Sequence, residues 1–418
     1  MFYYAGYKAT TFTLNVDNWN TTNLRNMYGM FIGAGYSSNS FILIGLDTWE
    51  TSKVTNMSNM FGKYNSSLCK PISAGYNAET FDIGNLTKWD TKNVTNMSDL
   101  FYYAGYNATT LDIGDLSSWD TSKVTDMHGM FESAGGKTTN FTLDLSKWDT
   151  SNVTNMSNMF SHVGQNATTW TVGDLSKWKT SNVTDMSNMF EGVGGNVTNF
   201  ALDLSKWDTS KVTDMSYMFN SAGSKADTFD IGDLSEWKTS SLLGMFAMFR
   251  RAGYNATTWN IGDLSKWDTS KVTSMRNMFE FAGYKADTFD IGDLSEWDTS
   301  KVKDMTNMFN SAGYNATTWN IGDLSSWNTS EVTSMENMFD HAAYKATTFD
   351  LDLSSWNTSK VTSMGYMFSY AGSNATTWSI TIPKTNGDGI SNDTTHMYGS
   401  TTSIYGSPYD GKLFTLAE

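Results

Sequence analysis

The stretch Trp267–Phe279 reads WDTSKVTSMRNMF, and it decides the fold because closely similar stretches recur along most of the chain. Every copy keeps the Trp, a Thr two residues later, a Met eight residues later and a Phe twelve residues later. Successive Trp residues lie 29 or 30 residues apart, except for one interval of 40. A fixed period of this length is typical of a solenoid or an array. The twelve reference tryptophans are Trp19, Trp49, Trp89, Trp119, Trp148, Trp178, Trp207, Trp237, Trp267, Trp297, Trp327 and Trp356.

Each repeat divides into two parts by the spacing of its apolar residues. In Phe141–Leu145 apolar and polar residues alternate, which predicts a half-buried strand. Repeats of 30 residues carry one extra residue in this part, usually a glycine such as Gly262, which predicts a β-bulge in the strand. From Val212 to Ala222 the apolar residues fall on one face of a helical wheel, and this spacing predicts a short helix. Gly223 follows at the position expected of a helix C-cap.

These observations predict an α/β repeat fold with a parallel sheet on one face and short helices on the other. About twelve repeats would stack over residues 1–378, so that the Trp, Met and Phe of successive repeats form interior columns. An insertion near residues 64–73 accounts for the long interval and carries Cys69. Residues 379–418 leave the pattern and are predicted to form a C-terminal cap. Because Met1–Gly6 matches the middle of a repeat, we expect a fragment whose signal and anchor lie outside it.

The core WDTSxVTxMxxMF closely resembles the repeat of the BspA-type leucine-rich-repeat surface proteins, known also from Mycoplasma as a repeat of unknown function. The resemblance covers residues 1–378. It implies a leucine-rich-repeat-like β/α solenoid, surface exposure and adhesion or host contact, without fixing a ligand. The chain differs in filling its core with Met, Phe and Trp more than Leu, and in a period longer than is common in that family.

Composition narrows the classes of partner. The net charge of −15 disfavours nucleic acid and anionic membrane surfaces. The chain holds no apolar run long enough to span a membrane. Charged residues reach only 17% and aromatic residues 14%, which indicates a folded chain rather than a disordered one. The single cysteine permits no internal disulfide. We expect an extracellular or cell-surface location and a protein or glycan ligand on another cell or matrix.

No arrangement typical of catalysis is present. The four histidines occupy different repeat positions, and neither a phosphate loop nor a zinc motif occurs. We therefore predict a protein that is not an enzyme and needs no cofactor. The histidines are His128, His162, His341 and His396.

A column of aspartates precedes the tryptophans by four residues and is the one candidate metal site. Stacked carboxylates repel one another unless they bind a cation or accept hydrogen bonds. Calcium would normally need several carboxylates in each repeat, whereas each turn here usually supplies one. Acceptance of backbone N–H groups at a turn is therefore the preferred interpretation. The calcium candidates are Asp233, Asp263 and Asp293.

Two features point to an interaction surface. A row of tyrosines that includes Tyr254, Tyr284 and Tyr314 could bind sugars, although contact with the Phe five residues earlier, as at a helix C-cap, is the preferred interpretation. The other feature is the irregular repeat near residues 240–251, where apolar residues replace polar ones and two of the chain's four arginines follow. Such a combination resembles a binding hot spot, with drift in a redundant repeat as an equal alternative. The residues concerned are Leu243, Phe246, Arg250 and Arg251.

Three functions remain open from sequence. The leading one is a surface scaffold that acts as an adhesin through its sheet face or its irregular repeat. The second is a structural stalk or filament subunit. The third is ice or glycan binding through regular Thr pairs such as Thr257–Thr258, which requires those pairs to lie outward on one flat face.

Overall fold

The computed structural model describes residues 1–382 and the two-residue strand at 415–416, and it shows a β-solenoid. The chain divides into two compact units, Met1–Thr198 and Asn199–Glu418, which we call the N-terminal and C-terminal units. Each 29- or 30-residue repeat forms one coil of the solenoid. Short parallel strands from successive coils lie side by side in register, so that equivalent residues face each other across coils.

In the N-terminal unit the strands are short and mostly parallel. The four-stranded sheet has the order β1-β2-β5-β6, while β7 pairs with β8. The antiparallel hairpin β3–β4 is the insertion near residues 64–73 that the sequence predicted. The strands are β1 Thr11–Asn15, β2 Ser40–Ile44, β3 Gly62–Asn65, β4 Lys70–Ser73, β5 Thr80–Asp82, β6 Thr110–Asp112, β7 Asn140–Thr142 and β8 Thr169–Thr171.

In the C-terminal unit three parallel sheets have the orders β11-β10-β9, β12-β13 and β14-β15-β16. Strand β15 crosses the predicted start of the C-terminal cap at residue 379, and β16 pairs with it in parallel. The remainder of the predicted cap, residues 383–414 and 417–418, lies outside the described residues. The strands are β9 Asn199–Ala201, β10 Thr228–Asp230, β11 Thr258–Asn260, β12 Thr288–Asp290, β13 Thr318–Asn320, β14 Thr348–Asp352, β15 Thr377–Ile382 and β16 Thr415–Leu416.

The predicted short helices were wrong, and so was the α/β fold class. Over Met215–Ala222 the backbone forms consecutive turns, and the helical content of the described residues is limited to two 3₁₀ segments, Leu46–Thr48 and Leu294–Glu296. Alternate N–H groups donate to the next coil, as Phe219 does to the Met248 carbonyl at 2.9 Å. The intervening groups donate three residues back, as Ala222 does to Phe219 at 3.0 Å. The backbone is thus satisfied without an α-helix.

The apolar spacing misled because it fits both structures. The Met eight residues and the Phe twelve residues after the Trp are fully buried, as a helix face would be, except that Met364 of the last coil is half-buried. However, Tyr217 and Ser221 have φ values of 59° and 59°, in the left-handed region that an α-helix cannot contain. A helix of this length is also marginal by itself, and Thr, Ser and Asn favour turns over helix interiors. Hydrogen bonds between identical coils therefore prevail over a local helix.

The extra glycine of the 30-residue repeats lies beyond the strand rather than within it. Strand β10 ends at Asp230, and the Asp230 carboxylate accepts a 3.0 Å hydrogen bond from the Gly232 N–H. Gly232 has φ of 82°, which a residue without a Cβ adopts at little cost. The predicted mid-strand bulge is therefore a capped turn in the structure.

The predicted interior columns are confirmed. In the C-terminal unit Trp237, Trp267 and Trp297 are almost fully buried, with neighbouring ring centroids 6.1 and 6.4 Å apart. In most coils the Thr two residues after the Trp caps a backbone carbonyl of the following coil. The Thr269 hydroxyl, for example, donates to the Asp298 carbonyl at 3.0 Å, whereas the buried Thr239 hydroxyl has no such partner. Stacked aromatic rings and coil-to-coil hydrogen bonds therefore hold the same registry in every layer.

Candidate functional site

The aspartate column is engaged in turns. Asp233, Asp263 and Asp293 each accept a hydrogen bond from the N–H of the Ser two residues later, at 2.9, 2.8 and 3.0 Å. The Asp293 carboxylate also accepts one from the Asp323 N–H of the next coil at 3.1 Å. Such Asx turns satisfy the charge locally.

Hydrogen bonding lowers the pKa of two of these carboxyl groups. The Ser235 N–H lowers the pKa of Asp233, and the Ser295 N–H does the same for Asp293. Within residues 1–382 and 415–416 no three His, Cys, Asp or Glu side chains are grouped so that they could hold a metal ion. The column thus has the geometry of turn caps, as the preferred interpretation of the sequence held.

The irregular repeat places an apolar patch on the surface. Leu243 is 54% exposed, where other coils carry Thr. Phe246 is half-buried and meets the Tyr217 ring of the preceding coil edge-on, with centroids 5.0 Å apart. Sequence reasoning missed Tyr217, whose aromatic ring occupies a position at which half of the twelve repeats have Asn. We call Tyr217, Leu243 and Phe246 the apolar patch.

The arginines that follow this patch differ in their contacts. The Arg250 Nε donates to the Glu280 carboxylate at 2.5 Å, in a pair whose side chains are 33% and 12% exposed. The Arg251 guanidinium lies instead over the rings of Tyr254 and Phe281, at 4.9 and 5.6 Å from their centroids. Arg250 is therefore used in an internal ion pair, whereas Arg251 rests on aromatic faces and keeps N–H donors that such a contact does not engage.

The tyrosine row stacks on itself. In the C-terminal unit the Tyr254–Tyr284, Tyr284–Tyr314 and Tyr314–Tyr344 centroids lie 4.7, 4.6 and 4.6 Å apart, and the rings are nearly parallel. Turns rather than a helix precede these tyrosines, so the predicted helix C-cap is absent there, and the Phe five residues earlier is buried in the interior column. Burial, with the neighbouring tyrosines adding to it, raises the pKa of Tyr314 to about 12.

This stacking bears on sugar binding. Protein aromatic rings hold a sugar mainly with their faces, but within the row each face already covers the next ring. The half-buried tyrosines therefore offer edges and hydroxyls. In the N-terminal unit Tyr7, Tyr36, Tyr76 and Tyr106 form an equivalent row with centroids 4.8 to 5.2 Å apart.

A second column lies beside the C-terminal tyrosine row, and sequence reasoning missed it. We call it the lateral column; its members lie fourteen residues after each reference Trp and have φ values of 55–57°. His341 stacks on Tyr370 with centroids 4.5 Å apart, and its Nδ1 lies 2.7 Å from the Asp340 carboxylate. The sequence signal that could have revealed this column is that chemically different side chains occupy one and the same repeat position. The lateral column is Arg251, Phe281, Ser311, His341 and Tyr370.

The insertion hairpin presents both lysines of its strands to tyrosine rings. Lys63 Nζ lies 5.4 Å from the Tyr3 centroid, and Lys70 Nζ lies 5.2 Å from that of Tyr36. Cys69 is an exposed free thiol at the turn. These cation–π contacts fix the hairpin against the aromatic surface of its own unit.

Two acidic side chains of the N-terminal unit are largely buried close together. Burial raises the pKa of Glu132 to about 8, and the charge of Asp99 adds to that rise. Burial also raises the pKa of Asp99, which nearby His128 opposes. A Cβ at Gly129 would lie 2.3 Å from the Asp99 Oδ1 and 3.6 Å from the Glu132 Oε2, so both carboxyl groups border the same space. This pair could not be predicted from the repeat pattern, because its two residues belong to different coils.

A serine–histidine contact in the same unit lacks the geometry of a nucleophile and its base. His128 Nδ1 lies 2.7 Å from the Ser157 Oγ, but that hydroxyl donates to the Asn155 side chain at 2.7 Å. Its proton is thus directed away from the histidine, and Ser157 is only 4% exposed. A general base must instead accept the proton of the nucleophile, which a substrate must reach.

The Thr pairs lie outward. Thr257 and Thr258 are both exposed, but the Thr257 hydroxyl donates to the Asp227 carbonyl of the preceding coil at 3.4 Å. The outward strand position two residues after Thr258 holds Asn260, which donates to the Asp230 carboxylate at 2.9 Å. The face therefore mixes hydroxyl groups with charged and amide groups.

These features define a parallel β-solenoid whose coils carry one internal pattern and variable outward positions. A family model described as "Mycoplasma protein of unknown function, DUF285" matches residues 1–104, 70–172, 161–282 and 251–381. The chain belongs to this Mycoplasma repeat family. Neither a curated protein nor a solved structure matches it. No helix within the described residues is long and apolar enough to cross a membrane.

Proposed function

We propose that the protein is a non-catalytic interaction scaffold, exposed on a cell surface or secreted, that adheres to host proteins or glycans. The observation that carries this proposal is the apolar patch. Most outward positions of the coils hold Thr, Ser, Asn or Asp, whereas Leu243 exposes 54% of its surface beside Phe246. Exposed apolar residues grouped among polar ones are typical of contact surfaces.

The surroundings of the patch favour a protein partner. The Arg276 side chain on the next coil is 47% exposed, and its guanidinium lies 3.7 Å from the Asp304 carboxylate. This ion pair places charged groups at the edge of the apolar patch. Aromatic and aliphatic groups within a charged rim match the usual composition of protein–protein contacts. The resemblance of the repeat to BspA-type leucine-rich-repeat surface proteins supports a surface location and adhesion.

A binding screen with one double variant that restores the common repeat residues tests the proposal. Immobilised host-matrix proteins and glycans would be probed with the full chain and with the double variant Leu243→Thr/Phe246→Ser. We expect binding to at least one surface by the parent chain and loss of about tenfold or more in the double variant, since one apolar side chain contributes about 1.5–3 kcal/mol when buried.

Thr333→Ala is the matched control, because it changes an exposed residue at the same repeat position as Leu243 but three coils away from the patch. It should bind as the parent does. Absence of binding by the parent chain to every surface, or equal binding by the double variant, would contradict the proposed site. The first of these results would favour a structural stalk or filament subunit, which the regular coil-to-coil hydrogen bonds also support.

Ice or glycan binding through the Thr pairs is the third candidate. The outward placement of Thr257 and Thr258 supports it, while the hydrogen-bonded Thr257 hydroxyl and the carboxylate of Asp230 oppose it. Thermal hysteresis measured on the parent chain and on Thr258→Lys distinguishes this function. A hysteresis that disappears in Thr258→Lys would favour it over the interaction scaffold.

A further inference from the structure

Between Arg251 and Tyr370 the lateral column has one small member among flat ones, whereas the serine at the same repeat position on the coil before Arg251, Ser221, lies outside this run. Arg251, Phe281, His341 and Tyr370 carry planar groups, whereas the coil between Phe281 and His341 supplies Ser311. All five have nearly the same left-handed backbone conformation, so their side chains leave the backbone in the same direction. The column is therefore a stack of planar side chains in which the Ser311 coil contributes no planar group.

The position that a ring on the Ser311 coil would occupy follows from the neighbouring coils. The Phe281 ring lies between two row members, with centroids 6.1 Å from Tyr254 and 6.0 Å from Tyr284. His341 lies at similar distances from the next pair, 6.1 Å from Tyr314 and 6.3 Å from Tyr344, and its ring is inclined to theirs by 24° and 22°, against 51° and 44° for Phe281. A ring on the Ser311 coil would therefore lie between Tyr284 and Tyr314.

The height of the gap matches one aromatic ring. Neighbouring strands are about 4.8 Å apart, so Phe281 and His341, two coils apart, are separated by roughly 9.6 Å along the stack. A ring inserted midway would lie about 4.8 Å from each wall, which is a favourable stacking distance. The tyrosine row beside it already stacks at 4.6 and 4.7 Å.

The floor of the gap is satisfied before anything binds. The Ser311 hydroxyl donates to the Asn310 side chain at 2.9 Å. A ring placed above it would therefore leave no new polar group unpaired. Because Ser311 is only 5% exposed, an entering ring must turn aside the neighbouring side chains that cover it. At the edge, Asp340 holds the His341 Nδ1 at 2.7 Å and retains acceptor capacity for an O–H or N–H donor.

We propose that this gap, bounded by Phe281, Ser311 and His341, binds the side chain of a Tyr or Trp presented by a partner protein. Two flanking aromatic side chains, of which Phe281 is tilted and His341 nearly parallel to the tyrosine row, favour an aromatic group, and the carboxylate favours one with a donor at its edge. The inference rests on the proposed interaction function and adds the chemistry that the partner offers. It concerns residues that the apolar patch does not include, so the two can fail separately.

The N-terminal unit provides a contrast. There the same repeat position holds Tyr103, Ser133 and His162 in succession, which is also aromatic, small and imidazole. The Tyr103 hydroxyl, however, is hydrogen-bonded to Ser133, so the tyrosine itself engages the floor. Phe281 has no hydroxyl with which to do so. The aromatic site is therefore assigned to the C-terminal unit.

The test uses 4-methylphenol and indole as probes of the two side chains and a methyl glucoside as the sugar probe. Saturation-transfer NMR on the full chain would measure binding, and the His341 ring signals would report its location. We expect both aromatic probes to bind and to shift the His341 signals. Ser311→Phe supplies the missing ring and should reduce binding about tenfold.

Ser221→Phe is the matched control, because it adds the same ring to the same repeat position beside Arg251 rather than between two rings. It should bind the probes as the parent does. If Ser311→Phe does not fold, His341→Ala removes one wall and should weaken binding by a similar factor. Binding of neither aromatic probe, undiminished binding by a folded Ser311→Phe or His341→Ala, or binding of the glucoside alone would each overturn the proposal.

The proposed adhesion function is separated from this site by the Leu243→Thr/Phe246→Ser variant. That variant should still bind the aromatic probes but should no longer bind the host surface. If the parent chain binds neither aromatic probe but does bind a host surface, the proposed aromatic site is contradicted and the proposed scaffold function is not.

Discussion

The indole Nε1 of Trp267 donates a 3.1 Å hydrogen bond to the carbonyl of Leu234 in the preceding coil. Trp237, Trp297, Trp327 and Trp356 make the same bond to the Leu 32 or 33 residues before them. One side chain thus fills the core and satisfies a backbone group of its neighbour. This dual role explains why the repeat keeps Trp at this position rather than another large apolar residue.

Replacing this Trp should therefore lower the free energy of unfolding by more than the loss of buried apolar area alone would. Trp267→Phe removes the donor and leaves a cavity beside the Leu234 carbonyl, so we expect the free energy of unfolding to fall by about 2–4 kcal/mol. Urea unfolding measures the change. Trp19→Phe is the comparison, because Trp19 is 37% exposed, and it should cost less than half as much. Equal costs for the two changes would show that the buried hydrogen bond and packing contribute little.

The aspartate column should respond to loss of a hydrogen-bond acceptor and not to calcium. Asp263→Asn keeps an oxygen that can accept from the Ser265 N–H, now at 2.8 Å, whereas Asp263→Ala removes it. We expect Asp263→Ala to lower stability by about 1 kcal/mol and Asp263→Asn to change it by much less. For each of the three chains, thermal unfolding should give the same Tm with calcium as without it. A rise in Tm with calcium that Asp263→Asn abolishes would restore the calcium interpretation.

The buried Glu132 should make the N-terminal unit less stable as the pH rises. Its pKa is raised from 4.5 to about 8 by burial and by Asp99, so the folded state binds a proton that the unfolded chain releases. The stabilising effect is fully present below about pH 4.5 and is lost as the pH approaches 8. Amide exchange at Tyr103, whose N–H donates to the Glu132 carbonyl at 2.8 Å, should become less protected over this range.

Glu132→Gln is the matched variant, because it keeps the shape of the side chain without the ionisation. Protection of the Tyr103 amide, corrected for the intrinsic pH dependence of exchange, should then fall much less than in the parent chain between pH 6 and pH 8, a range above the pKa of Asp99, which burial raises to about 6. A variant that loses protection as steeply as the parent would show that Glu132 is not the responsible group.

Left-handed backbone positions should tolerate Gly better than Ala. Asn277 has φ of 59° and accepts a 3.0 Å hydrogen bond on its side chain from Asn307. Asn277→Ala places a Cβ-bearing residue without that polar side chain in the left-handed region, and we expect a loss of about 1–2 kcal/mol. Asn277→Gly removes the steric cost and should retain more stability in urea unfolding. The reverse order would mean that this backbone conformation is not the native one.

The sequence predicted the interior of the fold better than its backbone path. Residues that are identical in every repeat, such as Trp267 and Met275, must stack on themselves in any solenoid, so their burial followed directly. The stripe from Val212 to Ala222 was ambiguous, because spacing alone does not say whether a carbonyl accepts from its own coil or from the next. The Asn at the tenth position after the Trp, as at Asn277, was the unused signal for a left-handed residue.

The candidate sites were predictable only where a residue departs from the repeat. Leu243 and Phe246 were found because they break the pattern. The gap at Ser311 was not, since Ser is unremarkable in this chain and only the neighbouring rings of Phe281 and His341 give it meaning. The Asp99 and Glu132 pair likewise arises across coils, from positions that no single repeat contains.

Infrared spectroscopy of the amide I band tests the central claim, that coil-to-coil hydrogen bonds replace a helix in every repeat. Strand-and-turn coils predict absorption dominated by β-sheet and turn components, with no resolved α-helical component. A β/α repeat with one short helix in each coil would place roughly a third of its residues in helix, as in an average globular protein. A helical component of that size would contradict the β-solenoid.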